Sequence, residues 1–453
     1  MISYVVLVSP RPFTMHLSNS FGEGSLSKIV QLLTAVLLRK QCINTRKTLR
    51  SLCLNSSYQM SSCQYKDHLR SIECPYCFPH ELSQPFNIVM SHSSTITKLS
   101  FSSSTLREIW EAILECIHLE DLTLSWVDIC DDEVDPFFQV CKKVKHLRMT
   151  MVEIDRPPSG FLDDDTDTFI LPNVTTLALR DIEISCPPIP YTSPYCIGIW
   201  IRRCPKLCSL EFNLRLSTIT IKDEEMAALL RQMTDLRRLD APYCKFGPLC
   251  IRELLSYEQE IWINGNRVQK RRLQRLCDTV EALDFNGQSQ GTDGVVQAIL
   301  SNCPRLKYLC GAKITVTEII NGAEWVSTDL TTLVIQLEAD VDQETPEGME
   351  KQRFVFRQLG KLIRLRFLSL SNESARTLDM RLRAGLDELA NLKNLELFGF
   401  EFDHCQNMQI EDATWIVNNW PGIKDLVGLV NQDPDACSLV TDLFRSRGVR
   451  VQK

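Results

Sequence analysis

The chain repeats one short pattern, which is plainest in Leu119-Glu-Asp-Leu122-Thr-Leu124 and returns as Val174-Thr-Thr-Leu177-Ala-Leu179. Its second half has an apolar residue at every other position, which predicts a short strand with one buried face. With other aliphatic residues allowed, the pattern occurs 12 times from residue 96 onward, at intervals of 23 to 44 residues. The first positions are Ile96, Leu119, Val144, Val174, Leu207, Leu236, Val280, Leu306, Leu330, Leu365, Leu392 and Ile423. Repetition at this period indicates a solenoid, and the longest interval could contain a degenerate repeat around Ile261-Trp-Ile263.

Helical patterns precede many of these strands. The segment 222–233 has a charged first turn and apolar residues at helical spacing. Thr105-Leu-Arg-Glu108 is a capping-box pattern that would open another helix. Similar helical patterns cover 349–362, 378–389 and 412–419. One strand and one helix per repeat predict an α/β leucine-rich-repeat solenoid, or horseshoe, with a parallel concave sheet and convex helices.

The repeats do not cover the whole chain. We expect residues 1–25 to be irregular or disordered, 26–90 to form a small, mostly helical N-terminal segment, and 91–453 to form a solenoid of about 12 repeats. Two acidic insertions, 155–167 and 338–348, are rich in turn-forming residues and predict solvated loops. The alternative is an ordinary α/β domain whose leucine-rich strands are merely alike, and twelve matches disfavour it.

Composition limits the classes of function. The 453 residues are 44% hydrophobic and 24% charged, the balance of a globular protein. The net charge of −7 gives no overall field for nucleic acid, and no apolar run has the length of a membrane helix. The 19 cysteines are scattered among apolar segments, which indicates free thiols in a reducing compartment, the cytoplasm or nucleus. The apolar start of the chain lacks a preceding basic residue and makes a poor signal peptide.

The cysteines of two repeats carry a family resemblance. Arg203-Cys-Pro-Lys-Leu-Cys-Ser-Leu210 and Asn302-Cys-Pro-Arg-Leu-Lys-Tyr-Leu309 share the phrase Cys-Pro-x-Leu-x-x-Leu. They resemble the cysteine-containing leucine-rich repeats of F-box proteins. Several C-terminal phrases are similar to a fungal, Mortierella-like family of F-box/leucine-rich-repeat proteins: 359–370, 382–392, 395–400, 411–421 and 447–450. The resemblance covers roughly 26–453, and it implies the substrate-recognition subunit of an SCF-type ubiquitin ligase.

The start of the chain departs from that family. An F-box opens with a Leu-Pro-x-Glu-like sequence, and residues 1–24 contain no such motif. A Skp-type adaptor and a cullin are therefore expected as partners only if an F-box is present upstream. The alternative is a free-standing leucine-rich-repeat interaction or structural protein with no ligase role.

Two groups of residues have partial metal-site patterns. Cys74-Pro-Tyr-Cys77 has Cys63, His68 and His80 nearby, but no second Cys-x-x-Cys completes a zinc site. Asp163, Asp165 and Asp167 alternate as in a calcium loop, but Thr168 and Val174 stand where that loop needs glycine and glutamate. We expect no bound metal, with a reduced turn at the first group and a solvated loop at the second.

The motifs of common enzyme classes are not found in the sequence. It contains no His-Glu-x-x-His, Gly-x-Ser-x-Gly, P-loop or dinucleotide-binding motif. We expect a protein that is not an enzyme, has no cofactor and binds neither nucleic acid nor membrane.

A basic run occurs at Arg267-Val-Gln-Lys-Arg-Arg-Leu-Gln-Arg-Leu276. It could be a nuclear import signal or a phosphate-binding helix. The alternative is a convex helix whose Val268, Leu273 and Leu276 point inward.

Residues that alternate with the buried leucines predict the partner-binding concave face. A basic group is followed by an acidic stripe and then by aromatic residues, the types enriched at binding hot spots. In order, these are His146, Arg148, Arg180, Glu211, Arg238, Asp240, Asp284, Tyr308, Phe367 and Phe398. The alternative is ordinary solvated charge, with Phe367 and Phe398 under neighbouring loops.

Overall fold

The computed structural model describes most of the chain from residue 69 onward and three short segments before it. The described ranges are 4–6, 13–15, 51–53, 69–74, 83–102, 109–162, 169–185, 189–190, 194–213, 221–242, 244–263, 266–285, 294–370, 376–400 and 406–452.

A single sheet of 16 strands runs through the described residues, and all but the two-residue β9 pair in parallel. Its strands, in chain order, are β3 (Ser51–Cys53), β4 (Ser71–Cys74), β5 (Lys98–Ser102), β6 (Asp121–Ile129), β7 (His146–Ile154), β8 (Thr176–Ile184), β9 (Ile189–Pro190), β10 (Ser209–Asn213), β11 (Arg238–Asp240), β14 (Ala282–Asp284), β15 (Tyr308–Thr315), β16 (Thr332–Glu338), β17 (Phe367–Ser369), β18 (Leu397–Gly399), β19 (Asp425–Val427) and β20 (Arg450–Gln452). Two antiparallel pairs lie outside it: β1 (Tyr4–Val6) with β2 (Phe13–Met15), and β12 (Glu258–Ile263) with β13 (Asn266–Arg271).

Helices connect most neighbouring strands. They are α1 (Ser83–His92), α2 (Ile109–Leu114), α3 (Val134–Lys143), α4 (Pro194–Arg203), α5 (Asp223–Gln232), α6 (Pro248–Leu255), α7 (Val295–Asn302), α8 (Val316–Asn321), α9 (Pro346–Gly360), α10 (Ile410–Asn419) and α11 (Pro434–Ser446). Short 3₁₀ helices cover Leu276–Asp278, Leu382–Ala384 and Leu386–Leu389. Among the helices that the structure describes, none has the length and apolar character required to cross a lipid bilayer.

The repeat leucines form one continuous core. Leu122, Leu147 and Leu177 are direct partners on adjacent strands, and each is fully buried. In β16 buried and half-buried residues alternate along all seven positions, because only one face of the sheet is covered. The helices cover that face, as the buried Met226, Leu229 and Leu230 of α5 illustrate. The predicted α/β leucine-rich-repeat solenoid is therefore confirmed.

The parallel sheet extends further toward the N-terminus than the repeat pattern indicated. β3 pairs with β4, and β4 pairs with β5, so strands of the sheet occur within the range 26–90. Both strands carry the repeat pattern, as Leu49-Arg-Ser-Leu52-Cys-Leu54 and Leu69-Arg-Ser-Ile72-Glu-Cys74, and the count from residue 96 onward left them out. Residues 26–50 of the expected helical segment lie outside the described residues.

The helix predicted over 378–389 is wrong. Two short 3₁₀ helices occupy the second half of that range, and Gly385 between them has a φ of 110°. Such a left-handed conformation interrupts an α-helix, and glycine adopts it readily. The helix predicted over 222–233 is confirmed as α5, with the Glu225 side chain accepting a 2.8 Å hydrogen bond from the Lys222 N–H.

The structure also overturns both predictions for the longest interval between repeats. Ile261 and Val268 are cross-strand partners in the β12–β13 hairpin, which stands outside the main sheet. The Ile261 region is therefore not a degenerate repeat, and the basic run is not a convex helix. Val268 is 38% exposed and Leu273 100% exposed, so only Leu276 of the three expected inward residues is buried.

Three adjacent strands share an unusual backbone feature. Trp126 in β6, Met151 in β7 and Asp181 in β8 have φ values of 58°, 51° and 52°. Direct pairing skips these residues and resumes in the same register on either side of them, so the three strands share a left-handed kink at one height. The kink shifts the alternation by one residue, which lets Val127 and Val152 return to the core.

Candidate functional site

The uncovered face of the sheet, called the sheet face below, presents two rows of side chains on either side of the buried leucines. In leucine-rich-repeat solenoids this is the concave side. One row comprises Thr123, Arg148, Ala178, Glu211, Asp240, Asp284, Cys310, Val334, Ser369, Gly399 and Val427. The other comprises Asp121, His146, Thr176, Ser209, Arg238, Ala282, Tyr308, Thr332, Phe367, Leu397 and Asp425.

The predicted basic group is neutralised by neighbouring carboxylates. Arg148 Nη1 lies 2.9 Å from Asp121 Oδ1, and Lys98 Nζ lies 3.1 Å from the other oxygen of the same carboxylate. Arg180 pairs with Glu211 on the next strand. His146 is the direct strand partner of Asp121. This end of the sheet face therefore offers paired charges rather than an open cationic patch.

The acidic stripe is one continuous row. Glu211 is the direct partner of Asp240, and Asp240 that of Asp284. Arg238 lies beside it, with its Nη2 3.4 Å from Asp240 Oδ2. Burial raises the pKa of the Asp240 carboxyl, and the negative charges of Glu211 and Asp284 raise it further. Arg180 pairs with Glu211, and the two arginines offset part of the repulsion. The neighbouring carboxylates still favour a further cationic group over Asp240.

Tyr308 joins the acidic stripe to the following strands. Its hydroxyl donates a 3.0 Å hydrogen bond to Asp284 Oδ2. Burial raises the pKa of this phenol, and the nearby Cys310 and Asp284 act in the same direction. The hydroxyl therefore keeps its proton and holds the Asp284 carboxylate in place.

An apolar patch follows the stripe toward the C-terminus. It consists of half-buried or exposed side chains from five consecutive strands, Tyr308, Val334, Phe367, Leu397 and Val427. Phe367 is 38% exposed, and the Arg366 guanidinium lies 5.8 Å from its ring centroid. A large ring exposed on a sheet face is suited to contact with a protein surface.

The placement of Phe398 on the sheet face is wrong. Phe398 is the direct partner of Leu368 and Leu426 in the buried row, and it is 0% exposed. Its ring centroid lies 5.6 Å from that of Phe400 and 5.3 Å from that of Trp420, in both cases edge to face. The repeat begins at Leu395 rather than Leu392, so the sheet-face residue of β18 is Leu397.

Sequence reasoning missed other residues of this surface. Val334 and Val427 occupy the same position of the repeat as Glu211, Asp240 and Asp284, and the choice of charged and aromatic residues passed over them. Trp126, 59% exposed, lies at the left-handed kink, which no propensity pattern indicates. Alternation within one repeat is enough to place Val334 and Val427, whereas Leu397 needs the pairing of β18 with β17.

Metal-binding groups do not come together in the described part of the chain. There, no three histidine, cysteine, aspartate or glutamate side chains are arranged to hold an ion. Of the zinc pattern only Cys74 is described, buried at the end of β4. Cys63, Cys77 and both histidines lie outside the described residues, as do Asp163, Asp165 and Asp167 of the calcium pattern.

Comparison with known proteins gives structural matches at low sequence identity. No family model matches the chain, and no curated protein matches it. Among solved structures, it is similar to a leucine-rich-repeat protein of Leptospira interrogans at 14% identity, over 85% of this chain and 95% of that chain, with a TM-score of 0.38. It is also similar to an internalin from Listeria monocytogenes at 16% identity, over 80% of this chain and 88% of that chain, with a TM-score of 0.41.

Proposed function

We propose that this chain is a protein-interaction scaffold, without catalytic activity, whose partner lies on the sheet face. A repeat solenoid presents an extended surface that suits a protein partner rather than a small molecule. The observation that carries the proposal is the acidic stripe adjoining the apolar patch, linked by the hydrogen bond between Tyr308 and Asp284.

The same surface suggests the chemistry of the partner. A lysine or arginine over Asp240 would relieve the repulsion among the three carboxylates of the stripe. Apolar side chains would cover Phe367 and Leu397 and remove them from water. We therefore propose a partner segment in which one or two cationic residues precede apolar ones.

A finer proposal rests on the family resemblance. The Cys-Pro-x-Leu phrases support a role as the substrate-recognition subunit of an SCF-type ubiquitin ligase, acting in the cytoplasm or nucleus. In that role a Skp-type adaptor would bind an F-box upstream, and the sheet face would bind the substrate. The alternative is a free-standing interaction protein that uses the same sheet face.

Affinity purification with matched variants tests these proposals. The bait would be the full chain, tagged and expressed in the cells it comes from, as wild type, Phe367→Glu and Leu439→Glu. Phe367 is 38% exposed on the sheet face, whereas Leu439 is 61% exposed on helix α11. We expect a protein that the wild type and Leu439→Glu both retain and that Phe367→Glu loses.

The outcomes separate the alternatives. If Phe367→Glu retains everything that the wild type retains, the sheet-face proposal is wrong. Cullin and Skp subunits among the retained proteins would favour the ligase role, and a sheet-face partner without them would favour the free-standing role.

A further inference from the structure

The β12–β13 hairpin is a second surface, separate from the sheet face. It is inserted between β11 and β14 and shares no strand pairing with the main sheet. In the register, Glu258 pairs with Arg271 at its base and Ile263 with Asn266 at its tip. Neither the repeat core nor the proposed partner surface accounts for it.

A buried arginine fixes the hairpin to the solenoid. Arg272 is 3% exposed, and its guanidinium donates hydrogen bonds to the carbonyl oxygens of Met233 at 2.9 Å and Leu230 at 2.8 Å. It also bonds the carbonyls of Ser256 at 3.2 Å and Glu258. Burial lowers the pKa of Arg272 to about 10, so the guanidinium stays charged at neutral pH. The hairpin is thus held rigidly at the C-terminal end of α5.

The second strand of the hairpin is fully accessible. All six residues of β13 are exposed, and in the described part of the chain no strand pairs with its outer edge. An edge of this kind presents unpaired backbone N–H and C=O groups, which can accept a further strand.

The charge on this edge is positive although the protein is negative. Arg267 and Arg271 point to one side of β13 and Lys270 to the other, because side chains alternate along a strand. Arg267 Nε lies 3.6 Å from Glu260 Oε1 of β12, and a peptide carboxylate could join this pair at the exposed arginine. Among the described residues, no carboxylate lies within ion-pairing distance of Lys270. Tyr257 holds the Arg271 guanidinium 5.0 Å from its ring centroid, which orders that charge.

We propose that β13 is a docking edge for an extended acidic peptide segment, which adds to the hairpin as a third strand. Glutamate or aspartate at alternate positions of the peptide would face Arg267 and Arg271. The intervening β-branched residues would lie beside Val268, which is 38% exposed. Backbone hydrogen bonds supply affinity, and the charges select an acidic sequence.

The same charges argue against a second copy of the hairpin as the occupant. Two β13 edges brought together would place Arg267, Lys270 and Arg271 of each copy against those of the other, and like charges across strands are destabilising. Basic residues on an edge can also act purely as protection against such self-pairing. A docking edge binds an acidic strand, whereas an edge that is only protected against self-pairing does not.

Fluorescence anisotropy with synthetic peptides tests the proposal on the full chain. The probes are a labelled ten-residue peptide alternating glutamate with valine and threonine, its lysine counterpart, and the acidic peptide with alternate backbone nitrogens methylated. We expect the acidic peptide to bind, the lysine peptide not to bind, and methylation to weaken binding at least about tenfold. Hydrogen exchange of the β13 amides should slow only with the first peptide.

Charge variants locate the site. Lys270→Glu with Arg271→Glu should weaken the acidic peptide about tenfold or more, whereas Lys206→Glu with Arg305→Glu changes the net charge equally elsewhere and should not. Arg267→Lys with Arg271→Lys keeps the charge and should retain binding even if the hairpin packs less tightly. Thermal melting of each variant confirms that it is folded.

Three results would overturn the proposal. If no peptide binds, the charge serves only to protect the edge. If the methylated peptide binds as well as its parent, attraction is by charge alone and no strand is added. If a 20-nucleotide oligothymidine binds more tightly than the acidic peptide and loses affinity in Lys270→Glu/Arg271→Glu, the hairpin is a nucleic-acid surface.

Discussion

Replacing Phe398 by alanine should destabilise the solenoid, and replacing Phe367 should not. The two rings lie on neighbouring strands, and the sequence pattern alone predicts that both lie on the same face of the sheet. Phe398 is 0% exposed, between Leu368 and Leu426 of the adjacent strands, whereas Phe367 is 38% exposed on the opposite face. A single pair of variants therefore tests the register of the C-terminal repeats.

The expected magnitude follows from burial and ring contacts. Removing a fully buried phenylalanine side chain leaves a cavity and costs about 3 to 5 kcal/mol. Phe398 also loses its edge-to-face contacts with Phe400 and Trp420, at 5.6 and 5.3 Å. Such contacts place the cost in the upper part of that range, at about 4 kcal/mol. For the partly exposed Phe367 we expect about 1 kcal/mol, since solvent already occupies much of its surroundings.

Urea unfolding followed by tryptophan fluorescence measures the difference. Trp420 contacts the Phe398 ring, so its emission reports on this part of the solenoid directly. With a slope of about 3 kcal/mol per molar urea, 4 kcal/mol lowers the midpoint by more than about 1 M. Repeat proteins can unfold in more than one transition, so the comparison uses the transition in which Trp420 becomes exposed.

The control and the contradicting outcome come from the same pair. Phe367→Ala should shift the midpoint by about 0.3 M, and its effect on partner binding is then separable from stability. Equal shifts for the two variants would refute the register, and the repeat would begin at Leu392 instead of Leu395.

The remaining predictions concern charge, thiols, backbone strain and the adaptor. The pKa of Asp240 is raised in the folded state, so ionisation of this carboxyl lowers the stability of the protein at neutral pH, and this loss of stability disappears as the pH falls. Asp240→Asn should therefore raise the melting temperature at pH 7 and not at pH 3.5. An equal rise at both pH values would contradict this. Burial raises the pKa of Cys116 and Cys277 to about 11, and both are free thiols. They should react slowly with a thiol reagent in the native protein and fully after denaturation without reductant, whereas mass spectrometry showing either cysteine in a disulfide would disprove it. Asp181→Gly should stabilise the chain by about 0.5 to 1 kcal/mol, because its φ of 52° favours glycine, and a lower urea midpoint would argue against stored strain. A recombinant chain of 453 residues should retain little or no Skp-type adaptor, and stoichiometric co-purification would show that the chain contains a docking module.

The fold could be predicted from the sequence because the leucine pattern recurs along the chain. Each Leu-x-x-Leu-x-Leu phrase records which residues face inward, and repetition shows that the inward faces are stacked. The acidic stripe followed from the same alternation, since Glu211, Asp240 and Asp284 occupy one position in three well-separated repeats.

The prediction for Phe398 was wrong because the repeat pattern fits this segment equally well from two starting residues. Leu392 and Leu395 are three residues apart, and Leu395 and Phe398 are too, so each pair satisfies the first half of the pattern. Pairing of β18 with β17 decides between them, because Phe398 must lie beside Leu368. That information is a contact between repeats 30 residues apart and cannot be obtained from local alternation.

The helix predicted for the basic run 267–276 was wrong for a different reason. Its residues have reasonable helical spacing, but Arg272 finds its hydrogen-bond acceptors at the end of α5, in Leu230 and Met233. A buried guanidinium needs such partners, and these bonds fix the residue directly after β13 to the end of α5. Tertiary contacts of this kind override helical propensity.

The three adjacent left-handed kinks make the repeats of this array unequal as building blocks. Deleting Trp126, Met151 or Asp181 alone would reverse the facing of the residues that follow, while the two neighbouring strands kept theirs. Repeat arrays change by duplication, loss or exchange of single repeats. Within β6–β8, an exchange with a repeat that lacks the kink would place a strand with the kink beside a strand without it. We therefore expect these three repeats to be exchanged as a block, since each kink is matched on an adjacent strand.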